Sequence, residues 1–288
     1  MSISTSPTEP DALVASRAST YVELHGGFGN QLFQAAAGMA IAARAGNELH
    51  FDVVQLLRDR QRQYELSRFP HGAKVGVFPS ADPHWQGKRF VESVFHYDQA
   101  VEALSGEMLL RGYFQSPRYF SGIEDRIRAV FDLDPLVGDD VRSRAATLEA
   151  NDAISVHVRR GDYVSNPEAL ALHGRLDAAY YRNAISLIRR ACPGVPLLVF
   201  SDEPSAIGNV LEGLGPWQIA RGASHFEDMY LMQHCRHHVI ANSTFSWWGA
   251  WLGQHEGGMT VAPRNWFARE TMLSTYCGDL HPEGWILL

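Results

Sequence analysis

Between residues 153 and 262 the sequence alternates short apolar runs with amphipathic stretches, and this alternation constrains the fold more than any other feature. Residues 153–158, 196–200, 238–241 and 259–262 read as strands, and residues 177–192, 204–211, 224–235 and 244–253 as helices. Strands separated by helices cannot pair as hairpins, so they predict a parallel sheet covered on both faces. Such sheets bind ligands outside the carboxyl ends of their strands, which is where a site is to be sought.

The first half is less regular. Residues 21–25 form an alternating strand that breaks at Gly26-Gly27-Phe28-Gly29-Asn30 and enters a helix whose apolar face carries Leu32, Ala36, Met39 and Ala43. Ala35, Ala36, Ala37 and Gly38 would let that helix pack very close to a sheet, Gly46 ends it, and residues 48–53 read as the next strand. Further strands are expected at 89–94 and 107–113, a helix at 121–131 and a polar linking helix at 139–150. With 288 residues, the chain has room for two domains, expected over 21–150 and 151–288 after a disordered tail over 1–20.

Composition excludes several function classes. The net charge of −7 argues against bulk nucleic-acid binding, so an anionic ligand must be met by a few placed arginines. Cys192, Cys235 and Cys277 are odd in number and widely spaced, which suits a reducing compartment rather than a disulfide framework or metal knuckle. There is no apolar run long enough to cross a membrane and no signal-peptide pattern at the start.

Three segments carry the candidate chemistry. The turn Gly26, Gly27, Gly29, Asn30 and Gln31 between strand and helix presents backbone N–H groups and a positive helix end to an anion or sugar, or is a tight turn capped by Asn30. It lacks the third glycine of the dinucleotide fingerprint, since Leu32 stands there, and no Walker triplet exists. In Ile154-Ser155-Val156-His157-Val158-Arg159-Arg160-Gly161-Asp162, His157 and Arg159 share one face of a strand. Two arginines closing a buried strand call for an anionic partner, either a diphosphate or a structural salt bridge such as Arg160 to Asp162. In Asn242-Ser243-Thr244-Phe245-Ser246, small hydroxyl residues open a helix, as phosphate donors or as simple N-caps. Asp202 follows the strand at 196–200 onto the ligand rim, and Asp228 follows Glu227 in the first turn of its helix, suited to a guanine edge or to the helix end itself.

Other signals point to structure. Asp132-Leu133-Asp134 has the letters of a metal-binding DxD but precedes Pro135, where a turn is expected. The histidines in His234-Cys235-Arg236-His237-His238 cross a helix–strand junction, and Trp247, Trp248 and Trp251 read as core. No nucleophile elbow supports a serine hydrolase.

The segments Gly26-Gly27-Phe28-Gly29-Asn30-Gln31-Leu32-Phe33-Gln34, His157-Val158-Arg159-Arg160-Gly161-Asp162-Tyr163 and Asn242-Ser243-Thr244-Phe245-Ser246-Trp247-Trp248-Gly249-Ala250 resemble, in order, the signature motifs of the α-1,2-fucosyltransferases of glycosyltransferase family 11. Related motifs occur in α-1,6- and protein O-fucosyltransferases. The resemblance implies an α/β fold of GT-B type, with two Rossmann-like domains facing across a cleft. It implies GDP-β-L-fucose as donor, inverting transfer to the 2-hydroxyl of a glycan acceptor with terminal galactose, and no required metal or other cofactor. By the same resemblance Arg159 contacts the β-phosphate. His157, Asp202, Asp228, Asn242, Ser243, Thr244, Phe245 and Ser246 hold the donor, and Gly26, Gly27, Gly29, Asn30 and Gln31 approach fucose and diphosphate from the other domain. Asp162, His25 and Glu168 are alternatives for the base that accepts the acceptor's proton. Without the membrane anchor of many eukaryotic relatives, the sequence reads as a bacterial cytoplasmic enzyme, with surface-polysaccharide intermediates at the inner membrane as one expected setting.

Overall fold

The computed structural model describes residues 17–78, 82, 84–159, 171, 174–268 and 276–288. The first half contains strands β1 (Ser19–Glu23), β2 (Glu48–Asp52), β3 (Lys74–Gly76), β4 (Lys88–Val91) and β5 (Met108–Arg111). Its helices are α1 (Phe28–Ala45), α2 (Val54–Arg58), α3 (Glu124–Val130) and α4 (Asp139–Ala150). The second half contains strands β6 (Ile154–Val158), β7 (Leu197–Ser201), β8 (Trp217–Ile219), β9 (His237–Val239), β10 (Thr260–Ala262) and β11 (Ile286–Leu287). Its helices are α5 (Ala178–Ala191), α6 (Ile207–Val210), α7 (His225–Gln233) and α8 (Thr244–Leu252).

These strands form two sheets, ordered β3-β2-β1-β5-β4 and β11-β10-β9-β6-β7-β8, and their pairings are parallel. The expected strand–helix alternation is therefore present in the second half. The short strands β3, β8 and β11 were not foreseen. Each has two or three residues, too few to show a period, and owes its place to a neighbouring strand.

Packing follows from small residues in α1 and large ones in α8. The run of Ala35, Ala36, Ala37 and Gly38 is buried, and a Cβ on Gly38 would lie 2.5 Å from Val22 Cγ2 of β1. The opposite side of α1 meets α8, where the Phe33 ring lies 4.5 Å from Trp247 and 5.0 Å from Trp248. Both tryptophans are fully buried, which settles them as core; truncating either to alanine would cost about 3–5 kcal/mol. On the far face of the second sheet, Ile154, Val156 and Val158 pack with Ile185 and Ile188 of α5. By the period of two, Ser155 and His157 then point to the α8 side, as the strand pattern required. After β10 the chain returns to the first half: Asp279 accepts from the Tyr97 backbone N–H at 2.8 Å, and Phe267 meets Phe95 at 4.6 Å. The result is a GT-B-type α/β fold, with two parallel units that jointly line a cavity.

The segments read as structural behave so. Asp132 Oδ1 accepts the Asp134 N–H at 3.0 Å, closing a turn, while Asp134 pairs with Arg142 at 3.1 Å. His238 hydrogen-bonds Ser155 Oγ at 2.8 Å and the Gly253 carbonyl at 3.1 Å. His237 Nδ1 accepts the Met259 N–H at 3.1 Å.

Candidate functional site

The loop after β1 reaches the start of α1 through Gly26, whose φ of +77° is open to glycine at little cost. Gly27, not Asn30, is the N-cap of α1, and it offers no side-chain hydrogen bond to the helix. No acidic residue sits in the first turn of α1. The N-cap of α8 is Ser243, again with no side-chain cap and no acid in the first turn. The starts of α2, α3 and α4 likewise lack a side-chain cap, whereas α5 and α7 have one. Asp177 accepts from Tyr180 N at 2.9 Å, and Ser224 from Glu227 N at 3.3 Å. The N-termini of α1 and α8 thus keep their positive ends and donors for something else.

These two ends meet. A Cβ on Gly29 would lie 2.5 Å from the Thr244 carbonyl carbon and 2.7 Å from Phe245 N, so only hydrogen fits between the helices. Together they open onto a cavity of about 540 Å³. Gly26, Gly27, Gly29, Asn30 and Gln31 line it from the first unit, and His157, Arg159, Asp202, Ser243, Thr244 and Phe245 from the second. The three sequence segments chosen as candidates are therefore brought to one place by two different sheets.

His157, near the end of β6, is buried, and among the described residues its Nδ1 has no hydrogen-bond partner. Burial lowers its pKa to about 4, the Arg159 guanidinium adds to the effect, and Asp202 opposes it. At neutral pH the ring is an uncharged hydrogen-bonding group aimed at the ligand space. Arg159 is half-buried, one residue beyond β6, and Asp202 stands exposed just beyond β7.

The remaining candidates are elsewhere. Asn242 is buried with its amide donating to the Trp266 carbonyl at 3.3 Å, and Ser246 Oγ donates to the Ser243 carbonyl at 3.2 Å. Asp228 Oδ1 accepts the Gly222 N–H at 3.1 Å, and burial raises its pKa. None of these three lines the cavity. Asp162, Arg160 and Glu168 lie outside the described residues. His25 lines a neighbouring cavity instead.

Sequence reading missed the loop after α2. Gln61, Arg62, Gln63 and Glu65 line the cavity, with Phe28 and His225. Asp59 Oδ1 shapes the loop by accepting N–H groups of Gln61 at 2.8 Å and Arg62 at 3.1 Å. Buried Gln31 ties it to α1: its Nε2 donates to the Gln63 and Gly26 carbonyls at 2.8 and 3.1 Å, and its Oε1 accepts the Glu65 N–H at 3.0 Å. Glu65 in turn lies 3.4 Å from His225 Nε2 on the second unit. The missed signal was positional, since this loop follows the carboxyl end of β2 and a parallel sheet puts such loops on the ligand side.

The family model described as glycosyl transferase family 11 matches residues 85–288. The chain is similar to an α-1,2-colitosyltransferase of Escherichia coli, 31% identical over 91% of this chain and 96% of that protein. It is similar also to the O-antigen biosynthesis glycosyltransferase WbnK of Escherichia coli, 30% identical over 86% and 95%. A galactoside 2-α-L-fucosyltransferase of Caenorhabditis elegans is 24% identical over 81% and 68%. Among solved structures, NodZ α-1,6-fucosyltransferase soaked with GDP-fucose aligns with a TM-score of 0.47 at 15% identity, covering 82% of this chain and 93% of that one.

Proposed function

The chain belongs to glycosyl transferase family 11, and from that premise we propose that it transfers L-fucose from GDP-β-L-fucose to the 2-hydroxyl of a galactose-terminated glycan, with inversion. Glycosyl transfer is the family's chemistry; the donor, the linkage and the acceptor are our reading. The observation that carries it is the convergence of two uncapped helix N-termini with Arg159 and His157 on one cavity.

Breaking the bond between fucose and GDP leaves negative charge on the diphosphate. A guanidinium and two positive helix ends, fixed before the reaction, would stabilise that charge without reorganisation. His157, neutral and with an Nδ1 that has no partner among the described residues, would add one more hydrogen bond to the same group. Gly29 has no side chain because the helices touch there, which leaves the backbone of both first turns open to the ligand. Gln31 and Asp59 hold Arg62 at the rim, where a second cation can approach the donor. The acceptor hydroxyl attacks from the face opposite the diphosphate, so its proton acceptor belongs on the side away from Arg159. Asp162, His25 and Glu168 stay as candidates for it. We place the reaction in the cytoplasm, which suits an odd set of widely spaced cysteines, Cys192, Cys235 and Cys277. Among the described residues no helix is long and apolar enough to cross a membrane.

Two relatives named for α-1,2 transfer or galactoside 2-transfer support the linkage. The colitosyltransferase favours one second reading, colitose in place of fucose as the sugar transferred. Incubation with GDP-fucose or GDP-colitose and a β-galactoside, followed by linkage analysis, tests both. An α-1,2-fucoside is expected. A colitoside alone supports the second reading, and GDP-sugar binding without acceptor-stimulated GDP release would contradict transfer.

A further inference from the structure

A second cavity of about 510 Å³ adjoins the first along the carboxyl edge of the first sheet. His25 beyond β1, Glu92 and Phe95 beyond β4, and Arg111 and Tyr113 at the end of β5 line it, with Tyr276 opposite. His25 is joined by a peptide bond to Gly26 of the donor cavity, so the two spaces share a wall.

Its surface is unusual for this chain. Eight large apolar side chains are exposed among the described residues, and four of them, Val91, Val94, Tyr113 and Tyr276, line this one cavity. A concentration of this kind, rimmed by polar groups, marks a binding surface rather than scattered surface residues. The structure also holds Tyr113 rigidly. Glu92 accepts the Tyr113 and Phe114 N–H groups at 2.7 and 3.0 Å and the Tyr119 hydroxyl at 3.1 Å. Phe114 takes a φ of +53°, which a bulky residue adopts only when its surroundings impose it. A Cβ on Gly112 would lie 2.5 Å from Glu92 Cβ, so the approach of that carboxylate depends on the glycine. The His25 ring then braces Tyr113 at 4.6 Å, and buried Gln34 fixes His25 by accepting its backbone N–H at 3.1 Å.

The cavity's arginine and glutamate each have a partner within the fold. Arg111 pairs with buried Glu23 at 2.8 Å, and Glu92 is committed to the Tyr113 turn. Beside these paired charges stand ring faces and hydrogen-bonding edges, which match the C–H faces and hydroxyl edges of a neutral sugar. We propose that this cavity is the subsite for the acceptor's sugar units beyond the galactose that receives the fucose, with Tyr113 and Tyr276 as the stacking platform. The proposal rests on the fucosyl-transfer reading for its order of sugars but on its own geometry for saccharide binding.

The test compares wild type with Tyr113→Ala and Tyr276→Ala on methyl β-galactoside and on a β-galactosyl tetrasaccharide. The variants are expected to raise KM for the tetrasaccharide about tenfold, with kcat within about twofold, and to erase the preference for the longer acceptor. Calorimetric titration of the tetrasaccharide into GDP-loaded protein supplies a readout independent of turnover. Tetrasaccharide binding that weakens in both variants, without any fucosyl transfer by wild type, upholds the subsite and overturns the transfer reading. Fucosyl transfer with unchanged tetrasaccharide KM in both variants overturns the subsite and upholds transfer. Tyr276 is 68% exposed, so its variant keeps the test decisive even should Tyr113→Ala fail to fold.

Discussion

Gly29 and Thr244 are in van der Waals contact through their backbones, and a single methyl group on Gly29 would lie 2.5 Å from the Thr244 carbonyl carbon. One residue belongs to the first unit and the other to the second. Their contact sets the spacing of the α1 and α8 N-termini and hence the width of the anion site between them.

Gly29→Ala is therefore expected to cost about 1–3 kcal/mol by overpacking against backbone that cannot swing aside. It should also weaken GDP binding, because the helix ends are pushed apart. Urea unfolding and GDP titration check both effects; a variant with unchanged midpoint and affinity contradicts the contact.

Gln31→Leu should leave α1 intact but release the loop over residues 61–65, since three backbone groups lose their partner. The expected stability loss is about 1–3 kcal/mol, with KM for the donor raised more than kcat is lowered. Steady-state kinetics beside thermal melting separates the two effects. An effect on kcat alone would place Gln31 in the chemical step instead.

Acid should unfold the protein through its buried imidazoles. His157 and His238 have pKa values of about 4 in the fold because burial penalises their charge, whereas in the unfolded chain a histidine titrates near its ordinary value of about 6.5. The unfolded state therefore binds more protons as pH falls below 6.5, and stability drops toward pH 4. Each ring contributes about 1.4 kcal/mol per pH unit across that window. His25 and His237 shift in the same direction. Unfolding free energy measured in urea at pH 7, 6 and 5 should fall steadily, and a flat profile would contradict the buried neutral rings.

Chelation should leave transfer unchanged. In the proposed reaction Arg159 and two helix ends would supply the positive charge that a metal would otherwise bring. Turnover measured with and without EDTA, then with added magnesium or manganese, checks this. Activity that requires the metal would contradict it.

Much of this arrangement was legible because its physics is local. The glycine turn at 26–29, the strand ending in His157 and Arg159, and the helix opening at Ser243 each announce a strand end or a helix start, and parallel sheets put such ends on one side. Position alone leaves Asp228 open between a guanine edge and the helix end, and Asn242 between ligand donor and N-cap, and the donor role of Ser246 comes from the family resemblance. Each side chain hydrogen-bonds backbone, a choice that depends on rotamer and packing rather than on position. Asn30 was weighed as an N-cap, but the helix starts earlier, at Phe28, and its Oδ1 accepts from Gln115 at 3.0 Å, 85 residues away. The loop carrying Arg62 has no motif at all; its place is fixed by Gln31 across 32 residues of sequence, a pairing without local signature.

The central claim is that diphosphate sits between Arg159 and the paired helix ends at Gly29 and Thr244. Calorimetric titration of GDP and of guanosine into wild type and Arg159→Ala tests it most directly. Wild type should bind GDP far more tightly than guanosine, and Arg159→Ala should abolish most of that difference while melting at the wild-type temperature. A folded Arg159→Ala protein that still prefers GDP by the full wild-type margin would contradict the claim.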